Sequence, residues 1–269
     1  MKEKICEFVF RNKKNFILIM YLYAFLCAFF PYSKIANLFI EGDLAVDISF
    51  IISRLILTVL PFIIYKFCTV DLIKDNKKYN FLLILPILIV CLNNFPFISV
   101  FLDKLMVLSE VKLWIIHIFK CFSASLMEEF VFRAVIFTLL YDLLLENKNR
   151  VLLSIIISSA LFGLLHIVNL FAGEHIFYVV IQVGYSFLTG VLFSLSFLIT
   201  KKMIIPILLH FIYNFGGLLQ ENGIISGQIW CVFQVIETVI ISVIIGVFVL
   251  YIILKINKKD QYESSSTKG

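Results

Sequence analysis

Apolar residues fall into eight long runs along this chain, separated by short polar or basic stretches. They cover roughly residues 15–31, 45–67, 81–102, 112–145, 151–171, 175–199, 203–219 and 230–254. Each is about 17 residues or longer, close to the ~20 residues of helix that cross a ~30 Å hydrocarbon core. The pattern predicts an all-α fold, a polytopic transmembrane bundle of about eight helices. At about 1.5 Å per residue the fourth run is too long for one simple span, so it has to tilt, break or project from the bilayer. Asn93, Asn94 and Pro96 predict a break in the third helix and a lateral opening there. Ser154 and Ser158 in the fifth run, and Ser186, Gly190 and Ser194 in the sixth, recur every four residues and predict close helix packing.

Composition agrees with that reading. Of 269 residues only 15% are charged, against roughly 25% in soluble domains, so a soluble globular protein is excluded. No repeat or low-complexity tract divides the chain. Residues 1–254 form a single transmembrane domain, and 255–269 are expected to be a polar, disordered tail. The first run lacks a small-x-small cleavage site and is read as a retained helix.

The net charge of +5 needs no nucleic acid to explain it, because the basic residues follow topology. Lys2, Lys4, Arg11, Lys13 and Lys14 precede the first helix, and Lys66, Lys74, Lys77 and Lys78 follow the second. Lys148, Arg150, Lys201, Lys202, Lys255, Lys258, Lys259 and Lys268 continue on the same side. Lys34, Lys104 and Lys112 stand on the other. This asymmetry predicts a multi-pass cell-membrane protein with both termini cytoplasmic. The six cysteines (6, 27, 68, 91, 121 and 231) show no CxxC spacing. They are read as buried small hydrophobes, not as a disulfide framework.

The chemistry sits where apolar runs carry groups that membranes penalise. A charge near the bilayer centre costs roughly 2.5–3.5 kcal/mol on the insertion scale, and such groups mark function by default. The fourth run carries Glu128, Glu129 and Arg133; the fifth ends in Phe162-Gly163-Leu164-Leu165-His166; the seventh holds His210-Phe211-Ile212-Tyr213-Asn214. Glu129 and Arg133 are i, i+4 with the acid N-terminal, a favourable in-helix pair. Glu128 points about 100° away, which leaves it as a free, reactive carboxylate. Ser125, Cys121 and His117 fall on roughly its face, a polar stripe suited to lining a cavity. His210 and Asn214 share one face of the seventh helix. Arg54 and Glu237 are read as bundle-facing structural groups, and His175 and His117 are placed outside the site.

Such a constellation can hydrolyse a peptide bond in two ways. Glu128 can act as general base on a water that His166 helps position, with His210 and Asn214 donating to the oxyanion. Alternatively Glu128, His166 and His210 can bind a divalent metal, zinc for instance, and leave a coordination position for water. No HExxH motif is present, and the residues alone leave both routes open.

Glu-Glu-x-x-x-Arg, Phe-x-x-x-His and His-x-x-x-Asn, in this order on separate apolar helices, resemble the motifs of the CPBP (Abi, CAAX prenyl protease and bacteriocin-processing) intramembrane proteases. Here they span residues 128–214, roughly a third of the chain. The resemblance implies an eight-helix core and endopeptidase activity on a membrane-associated protein or peptide. It also implies that Glu128 and His166 activate water, that His210 and Asn214 support the oxyanion, and that Glu129, Arg133 and Phe162 support the site structurally. It carries the same ambiguity between glutamate-dependent and zinc-dependent catalysis. Bacterial members are linked to bacteriocin immunity and peptide maturation, and the Ile-, Lys- and Asn-rich composition points to an AT-rich bacterial source. The competing readings are a non-proteolytic membrane regulator or immunity protein that binds a peptide or sensor partner, and a transporter, for which no inverted repeat is evident.

Overall fold

The computed structural model describes residues 2–29, 43–70, 72, 79–97, 105–107, 110–227 and 232–266. Lys34, Lys74, Lys77, Lys78, Lys104, Lys268 and Cys231 lie outside them. A short amphipathic helix, α1 (Lys2–Arg11), leads into α2 (Lys13–Phe29) and α3 (Asp43–Ile64), which ends in a π-helical turn, Tyr65–Thr69. A 3-10 turn, Phe81–Leu83, opens α4 (Ile84–Asn93). The long fourth run begins as α5 (Val111–Glu129), widens into π-helix over Phe130–Phe137, and resumes as α6 (Thr138–Leu143). Then come α7 (Arg150–Leu165) with a terminal 3-10 turn (His166–Leu170), α8 (Ile176–Thr200), α9 (Ile204–Gly217) and α10 (Val232–Ser266). A three-residue antiparallel ribbon pairs β1 (Leu105–Val107) with β2 (Ile225–Gly227). The architecture is an all-helical polytopic membrane bundle, with that ribbon as its one non-helical pairing among the described residues.

The helices coincide closely with the eight apolar runs, with two differences that follow from length. Four spans, Leu44–Thr69, Arg150–Leu170, Ile176–Thr200 and Ile236–Asn257, are long and apolar enough to cross a membrane alone. Phe81–Asn93 and Ile204–Gly217 are shorter; at about 1.5 Å per residue neither covers a ~30 Å core unaided. Each packs one face on the bundle and leaves the other exposed: Ile87, Val90 and Cys91 are buried while Leu85 and Ile89 are exposed, and His210 is buried while Ile204 and Leu208 are exposed. At the other end of the chain, the segment after Leu254 continues as helix to Ser266 where a disordered tail was expected. Its Lys, Gln and Glu residues are good helix formers extending a helix already nucleated.

The Asn93-Asn94 break is present, but it closes a seam instead of opening one. The Asn94 side chain, itself buried, donates to the Tyr213 carbonyl at 2.7 Å, and Asn93 donates to Thr238 Oγ1 at 2.9 Å. Phe95 and Asn94 lie where Cβ atoms on Gly216 and Gly217 would stand. α4 and α9 are therefore locked together one turn from Asn214.

α5 and its π-helical continuation are the axis of the molecule. One cluster of buried apolar side chains packs Phe130, Ala134 and Phe137 against residues of α4, α7, α8, α9 and α10. A second packs Met127, Val131, Phe132 and Val135 against α2 and Phe162. The π turn leaves the Ala134 carbonyl to side chains: Thr138 Oγ1 donates to it at 2.6 Å and Thr69 Oγ1 at 2.7 Å. Insertions of this kind recur at functional sites; this one begins directly after Glu129.

The cysteine reading needs one correction. Cys6 and Cys68 form a disulfide between α1 and the end of α3, because the π turn brings Cys68 back onto α1. Cys27, Cys91 and Cys121 are buried thiols.

The α7–α8 seam is as tight as its small residues predicted. A Cβ on Gly163 would come within 2.8 Å of the Val183 carbonyl oxygen, and one on Gly190 within 3.1 Å of Ser159. Backbone cannot give way as a flexible side chain can. Gly163→Ala is therefore expected to cost about 1–3 kcal/mol, the range for overpacking, measured as a lower thermal midpoint of the detergent-solubilised protein.

Candidate active site

Three helices meet at one imidazole. His210, 4% exposed, sits on α9 with Nδ1 2.8 Å from Glu129 Oε1 and Nε2 3.7 Å from Glu128 Oε2. Consecutive helical residues diverge by about 100°, yet the two ring nitrogens bridge that angle and each faces one carboxylate. Glu129 is thus not solely the partner of Arg133. Its Oε1 takes Arg133 Nη1 at 2.8 Å and the His210 N–H together, in a fully buried position. Projecting side chains on one helix could not show this, because the bridging ring comes from another.

Arg133 spans the centre of the bundle. Its Nη2 donates to the Gly190 carbonyl at 3.2 Å, and its guanidinium lies 4.4 Å from the Phe162 ring centre and 5.4 Å from that of Phe193. Phe162, placed among the supporting residues, also stands edge-on to both histidines, 5.4 Å from His166 and 5.7 Å from His210. Phe193 stacks on His210 at 4.9 Å. Nothing in the sequence marked Phe193 among the 29 phenylalanines.

His166 stands at the junction between α7 and its 3-10 turn. The tightened turn sends its backbone N–H to the Gly163 carbonyl, which frees the Phe162 carbonyl one residue earlier. The ring takes that acceptor: Nδ1 lies 3.1 Å from Phe162 O. A carbonyl only accepts, so Nδ1 carries the proton and Nε2 presents a lone pair. Glu128 and His210 both lie within electrostatic reach of this ring. Depth counted along straight helices puts Glu128 and His166 at different levels, about 24 Å from the outer end of the fourth helix and about 22 Å from the inner end of the fifth.

Asn214, one turn beyond His210, donates to Ser125 Oγ at 3.3 Å. Below it His117 Nε2 meets the Phe215 carbonyl at 2.9 Å while Asn222 Nδ2 meets His117 Nδ1 at 2.9 Å. The stripe of Ser125, Cys121 and His117 is therefore buried in the α5–α9 seam and does not line a cavity. Cys121 is 3.8 Å from His117 Nδ1, but both nitrogens of that ring are engaged, so this pair stays outside the site. His175 caps α8 by accepting from Phe177 N–H, also away from it. Arg54 lies over Phe50 on its own helix.

A shared metal finds no support in this arrangement. The 3.7 Å between His210 Nε2 and Glu128 Oε2 could flank an ion, but among the described residues no three His, Cys, Asp or Glu side chains gather closely enough to hold one.

Residues 110–216 match the family model described as type II CAAX prenyl endopeptidase Rce1-like. That segment contains Glu128, Glu129, Arg133, Phe162, His166, Phe193, His210 and Asn214. Over that segment the chain is similar to the Rce1-like type II CAAX prenyl endopeptidases. The chain is also similar to the membrane-embedded CAAX protease MroQ of Staphylococcus aureus (strain USA300), 33% identical over 115 residues. The match covers 42% of this chain and 41% of that relative, so the two are comparable over about two fifths of their lengths. No solved structure matches.

Proposed function

We propose that this protein is an intramembrane endopeptidase that hydrolyses a peptide bond in a membrane-associated protein or peptide of a bacterial cell membrane, with both of its own termini cytoplasmic. The observation that supports it best is the imidazole of His210 held between two consecutive glutamates, one fully buried and ion-paired, the other 17% exposed at its side chain. The relative's printed name, a membrane-embedded CAAX protease, points the same way.

Glu128 is the base. It faces the His210 ring without a partner on its own helix, so its oxygens remain available to a water. His166, its Nδ1 proton committed to Phe162, offers an Nε2 lone pair that accepts a hydrogen bond from the same water and orients it. When that water adds to the peptide carbonyl, its proton passes to Glu128 and negative charge builds on the carbonyl oxygen. Asn214 Nδ2 donates to that oxygen after leaving Ser125. His210, its ring fixed through Nδ1 by Glu129 on the far side, faces the same oxygen with Nε2 and supports it, in the way a buried carboxylate orients a catalytic histidine elsewhere. Glu128 then returns the proton to the leaving amine. No step passes through a metal.

The reading is tested by incubating the purified protein, in detergent or nanodiscs, with membrane-inserted peptides tagged at both ends and identifying cut sites by mass spectrometry. Defined fragments that disappear with Glu128→Gln are expected; their persistence in that variant would sink the proposal. Treatment with a strong chelator is expected to leave the rate unchanged, with well under one zinc per chain. Reversible loss of activity tied to bound zinc would overturn the metal-free mechanism.

A further inference from the structure

We infer that Ser186 on α8 is a positioning residue for His166, its hydroxyl donating to Nε2 and holding the ring with that nitrogen facing the site. The inference rests on the endopeptidase reading for its consequence but not for its geometry. Ser186 Oγ lies 3.5 Å from His166 Nε2, and Ser186 is 3% exposed. That distance is the loose limit of a hydrogen bond, so the hydroxyl holds the ring in the resting site and yields the one Nε2 lone pair to the water when substrate binds.

The direction of the bond follows from the other end of the ring. With the Nδ1 proton given to Phe162 O, Nε2 can only accept, and a hydroxyl can donate. On α8, Thr189, Ser196 and Thr200 turn back to their own helix, bonding Ser186 O, Phe193 O and Ser196 O, while Ser194 Oγ faces Ser158 Oγ of α7 at 3.5 Å. Ser186 reaches across to α7 as well.

The seam is built to hold this register. Gly163 sits against the Val183 carbonyl, three residues before Ser186, and Gly190 sits against Ser159 and Phe162, four residues after it. One rung further out, Asn169 Nδ2 donates to Gln182 Oε1 at 2.7 Å. The polar pairs Asn169–Gln182 and His166–Ser186 are thus successive rungs between the same two helices, and the glycines bring the helices close enough for both.

Ser186→Ala removes the hydroxyl with almost no change in volume. Protein labelled with 15N in its four histidines gives ring-nitrogen resonances that single His→Gln variants assign. In Ser186→Ala the Nε2 resonance of His166 is expected to move toward that of an unbonded nitrogen, with those of His117 and His210 unmoved. Cleavage is expected to lose roughly tenfold or more in kcat, as for other groups that orient a catalytic ligand, with KM nearly unchanged, and Ser186→Thr is expected to restore part of it. An unmoved His166 resonance overturns the bond. A moved resonance with unchanged kcat overturns the positioning role. Should the wild-type protein cleave nothing, the endopeptidase reading fails and the resonance alone decides whether Ser186 holds His166.

Discussion

Replacing Glu128 with glutamine is expected to give a folded, membrane-inserted protein that no longer cuts its substrate. Glutamine keeps the shape of the side chain and can still hydrogen-bond, but it cannot take a proton from water. Losing a positioned general base costs typically 10²–10⁴-fold in rate. Stability should barely change, because Glu128 makes no ion pair on its own helix and its one close charged neighbour is His210 Nε2 at 3.7 Å, beyond hydrogen-bonding distance. The pair of measurements is cleavage of a tagged membrane peptide and the thermal midpoint of the purified variant. Activity within a fewfold of wild type would remove Glu128 from the mechanism. A collapse of the midpoint would show instead that Glu128 is a structural group.

Much of this arrangement could be read from the chain, and the reasons for the rest are specific. Helix positions were legible because each apolar run is bounded by basic or turn residues, and burial in lipid leaves the backbone no alternative to helix. That Glu128 and His210 would face one another could be anticipated because each is too costly at membrane depth to be there by accident. What lay hidden was geometry that a straight α-helix does not predict. The π turn after Glu129 and the 3-10 turn at His166 both depend on partners from distant helices, Thr69 for the first and α8 for the second. Ser186 looked like one more small residue in a packing stripe, since four-residue spacing is common to packing and to function. The Glu129–His210 bond crosses between α5 and α9, so no projection of α5 alone could reveal that the buried glutamate has two duties. The break at Asn93-Asn94 was foreseen, but its effect depended on Gly216 and Gly217 of another helix. The Cys6–Cys68 pairing likewise needed the turn at Tyr65–Thr69.

Those two duties of Glu129 can be separated. Glu129→Gln alone is expected to destabilise the bundle by about 3–5 kcal/mol, since it leaves Arg133 as an uncompensated buried charge. Arg133→Met alone should cost a similar amount by stranding the carboxylate. The pair itself is not well satisfied: Glu129 Oε2 and Arg133 Nε are buried without a hydrogen-bond partner, and replacing a buried ion pair by apolar residues of similar volume is often neutral or stabilising. The double variant Glu129→Met/Arg133→Met is therefore expected to melt well above either single variant and near wild type. It should nevertheless stay inactive, because His210 Nδ1 has lost the carboxylate at 2.8 Å that fixes its ring. Thermal midpoints for the four proteins and cleavage rates for the same four give the answer. If stability and activity return together in the double variant, Glu129 serves Arg133 alone and His210 needs no carboxylate behind it. If stability returns without cleavage, the second duty of Glu129 is catalytic support, exerted through His210.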